Sequence, residues 1–255
     1  MTLTLRPVPN VPMIQPGDDL AVLICEALRS VSIDLQDGDI VVLAQKIVSK
    51  SEGRLVNLTQ VTPSPEAVQL AERTEKDPRF IEMVLRESNA VLRTRPGTII
   101  VEHKQGFVCA NAGIDHSNVR GSWGNQEDWI LLLPEDSDAS ARRICQDLEA
   151  ISGARLGVLI IDSHGRAWRN GTVGLAIGFA NLPGLVDLRG TLDLFGYQLR
   201  VTLVAAADEL AAAASLVMGQ AAECLPVVHV RGFPYELRAG GLSELIRPKE
   251  QDLFR

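Results

Sequence analysis

The 255-residue chain is poor in aromatics: six Phe, three Trp and two Tyr make up 4% of it. Its core must rest on Leu, Val, Ile and Ala, which help bring the hydrophobic fraction to 46%. Cysteine is scarce as well. Cys25, Cys109, Cys145 and Cys224 lie far apart, with no CxxC or Cys/His spacing. That excludes a zinc ribbon or a dithiol redox centre, and buried reduced thiols in a cytoplasmic protein are expected. No apolar run reaches the roughly 18–20 residues that span a bilayer, and the opening Met1–Pro7 has no basic segment leading into an apolar one. Positive charge is also short. Twenty-five Lys and Arg against 32 Asp and Glu leave a net charge of −7. Binding to nucleic-acid backbones rewards clustered cations, and this chain has only short pairs such as Arg142-Arg143. Neither nucleic acid nor membrane is an expected partner. The acidic excess does not forbid phosphate binding, because a bound divalent cation can reverse the local sign.

What is present reads as a mixture of strands and helices. Leu3 and Leu5 begin a short strand, followed by a loop rich in proline up to Pro16. Asp18 or Asp19 can cap a helix over 20–28. The β-branched run 40–44 is a buried strand by length and composition. Pro65 and Asp77-Pro78 open helices over 66–73 and 79–88. Strands follow over 90–93, 98–101, 107–110 and 129–133, and Ser137 or Asp138 can cap a helix over 139–151. Residues 156–161 form another apolar strand, expected to end in a turn at Asp162-Ser163-His164-Gly165. The strand pattern resumes over 174–179 and in part over 197–204. A packed Ala-rich helix over 207–218 precedes a last strand at 226–230. Strict βαβ alternation is missing, so the expected class is α+β, in one domain over 1–255 that is either undivided or built of two intertwined subdomains.

Four polar clusters lie where apolar elements end, a common place for sites. After the strand 40–44, Lys46, Lys50 and Arg54 recur at fourfold spacing, so one helical face could carry three cations. Such a face can contact phosphate or simply be solvated. In the second cluster, small residues leave room for close backbone approach while Asn111, Asp115 and Asn118 offer hard oxygens of the type magnesium and manganese prefer; a plain Asx-turn loop is the alternative. In the third, Asp162 and Ser163 at the exit of a buried strand could add further oxygens, and His164 reads as an exposed loop residue. In the fourth, Gly219 ends the Ala-rich helix as a structural cap. No GxxxxGK[ST] or GxSxG is present, which excludes a P-loop and a nucleophile elbow.

The ordered series of segments resembles the coenzyme F-420 precursor gamma-glutamyl ligase family over about residues 7–232. The matching stretches include Gly38–Val42, Lys50–Arg54, Ala110–Asp115 with Ser117–Val119, Leu132–Pro134, Asp162–Arg169, Ala176–Gly178, Asp187–Gly190, Ala207–Ala211 and Val230–Gly232. The resemblance implies an α+β ligase fold without a C-terminal flavin-binding domain, assembled as a homodimer. It implies GTP as co-substrate, two divalent cations (manganese or magnesium), and potassium as a candidate accessory ion. The γ-phosphate would activate a carboxylate of the coenzyme F-420 precursor as an acyl phosphate, which the amine of L-glutamate would displace. Carried over position by position, Asp115 and Asp162 would be catalytic metal ligands with Ser163 at a second metal, where Thr is common in the family. Met13, Ile14, Gln15, Pro16, Gln45, Lys46, Lys50, Asn118, Met218, Gly219, Gln220 and Ala221 would contact the nucleotide. A related ligase with another acceptor and a nucleotide-binding regulator without catalysis remain as other readings.

Overall fold

The apolar runs 40–44, 156–161 and 226–230 lie side by side in the middle of one five-stranded sheet. The computed structural model describes residues 2–253. Along the chain come β1 (Thr4–Pro7), α1 (Leu20–Ser30), β2 (Ile40–Ala44), α2 (Gln45–Ser51), β3 (Leu55–Asn57), α3 (Pro65–Thr74) and α4 (Pro78–Arg86). Then follow β4 (Ser88–Arg95), β5 (Thr98–His103), β6 (Val108–Ala110), β7 (Trp129–Leu131), α5 (Ser137–Ser152), β8 (Gly157–Arg166) and β9 (Arg169–Ala180). Last are β10 (Val186–Asp187), β11 (Leu203–Val204), α6 (Ala206–Met218) and β12 (Val227–Arg231). The central sheet has the order β1-β12-β2-β8-β9 and is antiparallel except for the parallel pair β2 and β8. The α+β expectation holds.

Both faces of this sheet are covered, which is why its inner strands read as continuous apolar runs. Val41, Leu43, Val158 and Ile160 point into a core with Leu20, Ile24 and Leu28 of α1 and Ala141, Ile144 and Leu148 of α5. Ile40, Val42, Leu159 and Ile161 point the other way, against Ala207, Leu210, Ala211 and Ala214 of α6. Fully burying a side chain such as Ile24 or Leu28 stabilises by roughly 1.5–3 kcal/mol each. A second lobe, inserted between β3 and β7, has its own core of α3, α4 and the sheet β4-β5-β6 around Phe80, Ile81, Val84, Ile99 and Val101.

Local chemistry sets most boundaries. Asp19 caps α1 by accepting from the Val22 amide, while Ser64 and Asp77 cap α3 and α4 one residue before Pro65 and Pro78. Three expectations about the elements need correction. The cap of α5 is Asp136, which accepts from the Ala139 amide; Asp138 instead accepts from the amides of Phe179 and Leu242 and ties the helix to β9 and the C-terminal segment. The stretch 197–204 is mostly irregular, and only Leu203–Val204 forms a strand. Finally, β8 does not stop at Ile161 but runs on to Arg166, so Asp162, Ser163 and His164 are strand residues. Three of the cysteines are buried as expected, but Cys224 is exposed. No described helix is long and apolar enough to cross a membrane.

Candidate active site

Because β2 and β8 are parallel with Ala44 beside Ile161, both strands release their next residues at the same edge of the sheet. Gln45 and Lys46 open α2 there, and Asp162 and Ser163 continue β8. In β9 opposite, Ile160 pairs with Gly178 and Ile161 with Ala176, so Ile177 is an extra residue. A bulge of this kind bends and twists a strand and often re-aims side chains beside a site.

The third wall comes from the second lobe. Asn111, Ala112 and Gly113 all have positive φ, at 55°, 54° and 66°. A non-glycine residue in this region costs roughly 1–2 kcal/mol, and such strain gathers at functional sites. At Gly113 a β-carbon would lie 2.6 Å from Leu133 Cδ1, so only glycine passes. The turn delivers Asp115, whose backbone is pinned by a pair of hydrogen bonds to Leu131, 3.0 and 2.9 Å long.

The Asp115 carboxylate receives Gln45 Nε2 at 2.6 Å and has Lys46 Nζ at 3.4 Å. The Gln45 amide is oriented by Ser49, whose hydroxyl donates to Gln45 Oε1 at 2.9 Å. Burial and the neighbouring Asp162 charge raise the Asp115 carboxyl to about 6, against the opposing pull of Lys46 and Gln45. The two aspartates, 47 positions apart in the chain, therefore sense one another across a shared space. Lys46 also donates to the carbonyl and hydroxyl of Ser117, at 3.0 and 2.9 Å. Lys50 donates to the Asn118 carbonyl at 2.9 Å, and burial together with the Lys46 charge lowers its ammonium pKa. Asn118, itself at φ 57°, donates from Nδ2 to the Ala221 carbonyl at 3.1 Å. Ser163 Oγ donates to Gln220 Oε1 at 2.8 Å. These two bonds fasten the segment after α6 across the mouth.

The result is a cavity of about 720 Å³. Met13, Ile14, Gln45, Lys46, Lys50, Asp115, Asn118, Asp162, Ser163, Met218, Gly219, Gln220 and Ala221 all line it. Gln15 and Pro16 do not: they lie in the adjoining loop, outside the wall. Arg54 also departs from expectation. Helix α2 ends before it, and its guanidinium turns to Glu87 Oε2 at 2.6 Å and to the Leu133 carbonyl, so the cationic face is a pair of lysines. Gly219 has φ 76° but ψ 179°, an extended turn out of α6 rather than a left-handed cap. Ser117, Arg120 and Ser215 line the cavity as well. Ser117 belongs to a matching stretch but carries no assigned role, and Arg120 and Ser215 give no local signal; the fold brings all three there.

The donor set suits a hard divalent cation. Two carboxylates and a hydroxyl face one space, and Asn111 Oδ1 on the cavity wall is buried without a hydrogen-bond partner. Among the described residues no cluster of three or more His, Cys, Asp or Glu could cage a metal. Magnesium-type sites use one or two carboxylates and leave the remaining positions to phosphate and water.

The family model F420-0:gamma-glutamyl ligase matches residues 9–232. A coenzyme F420:L-glutamate ligase of Methanothermobacter thermautotrophicus is 48% identical over 257 residues, with 100% of both chains covered. Another of Methanopyrus kandleri is 46% identical, with 100% of this chain and 98% of its own covered. A third, of Methanosarcina barkeri, is 42% identical over 97% of this chain and 93% of its own. By a family match over most of its length, and by full-length relatives at nearly half identity, this chain belongs to the F420-0:gamma-glutamyl ligase family.

Proposed function

We propose that the protein joins L-glutamate to a carboxylate of the coenzyme F-420 precursor, driven by GTP. The observation that carries this reading is the meeting of Asp115 and Asp162 on one cavity with Lys46 and Lys50 beside them. Asp115, Asp162 and Ser163 would hold manganese or magnesium. When bound, the cations supply charge neutralisation for a triphosphate and its leaving group.

The chain's own residues account for the rest. Lys46 and Lys50 offer ammonium groups to the phosphate tail. The loop at Met13–Ile14 and the turn Met218–Ala221 line the same cavity and would take the nucleoside. The acceptor carboxylate oxygen attacks the γ-phosphorus, GDP departs, and an acyl phosphate results. The glutamate amine then attacks the acyl carbon, loses a proton, and expels inorganic phosphate as the amide forms. A second copy of the chain is the proposed partner, supported by an exposed apolar arm on the structure.

The test incubates purified protein with glutamate-free precursor, L-glutamate, Mn²⁺ and either GTP or ATP, followed by mass spectrometry for glutamyl adducts and phosphate release. Adducts with GTP support the reading; nucleotide binding without any adduct favours a regulator. Asp115→Asn and Asp162→Asn are each expected to abolish adduct formation in a folded protein. Turnover near wild type in both would refute the assigned role.

A further inference from the structure

His164 belongs to a stretch that carries the family resemblance but not to the site residues carried over from it, and its environment is not that of a loop residue. It follows Asp162 by two positions on β8, so both side chains project from the same face of the strand. The residue is 6% exposed. Its ring lies 5.4 Å from the ring of Phe107, which is stacked at 4.9 Å on His103. His103 is anchored in turn, with Nδ1 accepting from the Gln105 amide at 3.1 Å. The three rings His103, Phe107 and His164 therefore pack in series, and the last of them stands beside the Asp162 carboxylate.

His164 Nε2 is buried without an aligned hydrogen bond, and it stands 2.9 Å from Asp162 Oδ2. That separation is within the range of charge-assisted hydrogen bonds. A buried polar nitrogen left unused is costly, and the carboxylate beside it offers the means to satisfy it. Carboxylates that ligate metals commonly have their second oxygen held by an outer partner, which fixes their orientation.

We propose that His164 is the positioning residue of Asp162: its Nε2–H holds one carboxylate oxygen so that the other faces the cavity and a divalent cation. This rests on the metal-ligand reading of Asp162. The ring is held by packing against Phe107, so the donor nitrogen stands beside the carboxylate before any ligand arrives, and a small rotation of the carboxylate completes the bond.

The test titrates Mn²⁺ alone into the protein and follows the free-ion signal by electron paramagnetic resonance. His164→Phe keeps a flat ring against Phe107 and removes the donor. His164→Met, which fills irregular space, serves if the Phe variant does not fold. His164→Gln restores an N–H. The expected result is Mn²⁺ affinity weakened about tenfold or more in the Phe and Met variants, partly recovered in the Gln variant, with thermal unfolding close to wild type. Folded Phe or Met variants that bind Mn²⁺ within about twofold of wild type overturn the proposal. Asp162→Asn separates the two layers: wild-type binding by that variant removes the ligand assignment itself, and the positioning role with it.

Discussion

Asp115 carries two opposed consequences. Its carboxyl is raised to about 6 in the folded chain, by burial first and by Asp162 second. Below pH 4 both folded and unfolded chains hold the proton. Between about 4 and 6 only the folded chain keeps it, so this group's contribution to stability falls as pH rises and stays low above 6. With the side chain one-quarter exposed, the cost at neutral pH is on the order of 1–2 kcal/mol. Asp115→Asn is therefore expected to raise the melting temperature of the metal-free protein by about 2–6 °C at pH 7. Calorimetry giving an unchanged or lower Tm would contradict this. Protons also compete with cations for the same oxygens. Mn²⁺ affinity is expected to fall steeply below pH 6, by up to about tenfold per unit, and a flat profile between pH 5 and 7 would remove Asp115 from the ligands. Asp39 works in the opposite sense and in another window. Burial alone would raise it, but hydrogen bonds from Arg231, His229 and the Gln36 amide hold it down to about 2. Its contribution is present above pH 4 and lost as pH falls through 2.

At the scale of elements, β9 is the hinge of the architecture, because two helices approach it through glycines on opposite faces. A β-carbon at Gly174 would lie 2.6 Å from the Ala211 carbonyl of α6, and one at Gly178 would lie 2.4 Å from the Ser137 carbonyl carbon at the start of α5. Four residues of regular strand would put both on one side; the extra residue Ile177 turns the second to the other face. Gly174→Ala and Gly178→Ala are each expected to destabilise by about 1–3 kcal/mol through overpacking, read as a shifted urea midpoint with unchanged slope. Neutral substitution at both positions would show that the helices can move away freely. Such pairing decides what the sequence could reveal. The strands β2, β8 and β12 were legible because both their faces are apolar. The extension of β8 through Asp162–Arg166 was not, because the polar residues and Gly165 look like a turn, and the partner that makes them a strand is β9. The cap of α5 was obscured for a different reason: Asp136, Ser137 and Asp138 are all good caps in a row, and only the amides of Phe179 and Leu242 claim Asp138. Arg54 was misjudged because fourfold spacing implies a shared face only if the helix continues, and α2 ends at Ser51.

For the whole molecule, the most conspicuous surface is the arm between β10 and β11. Asp193 Oδ1 accepts from the amides of Phe195 and Tyr197 at 2.8 and 2.9 Å, fixing a turn at whose tip Leu194 is 97% and Phe195 94% exposed. Leu192, Tyr197 and Val201 extend this surface. Ordered apolar side chains grouped in water mark an interaction surface, and a second copy of the chain is the proposed occupant. Light scattering is expected to give about twice the 27.7 kDa chain mass. Leu194→Asp with Phe195→Asp should return a folded monomer; a wild-type monomer would reject the assignment. The convergence of 13 of the 15 residues carried over by resemblance onto one cavity was legible only through kinship. No local pattern joins Met13, Asp115, Asp162 and Gln220.

The double duty of Lys46 has a consequence for the order of events. Its ammonium neutralises Asp115 and also grips Ser117, so a cation reaching that carboxylate leaves the lysine short of a counter-ion, and an incoming phosphate supplies one. Metal and nucleotide should therefore favour each other's arrival, each correcting an imbalance the other creates, with the same factor in both directions.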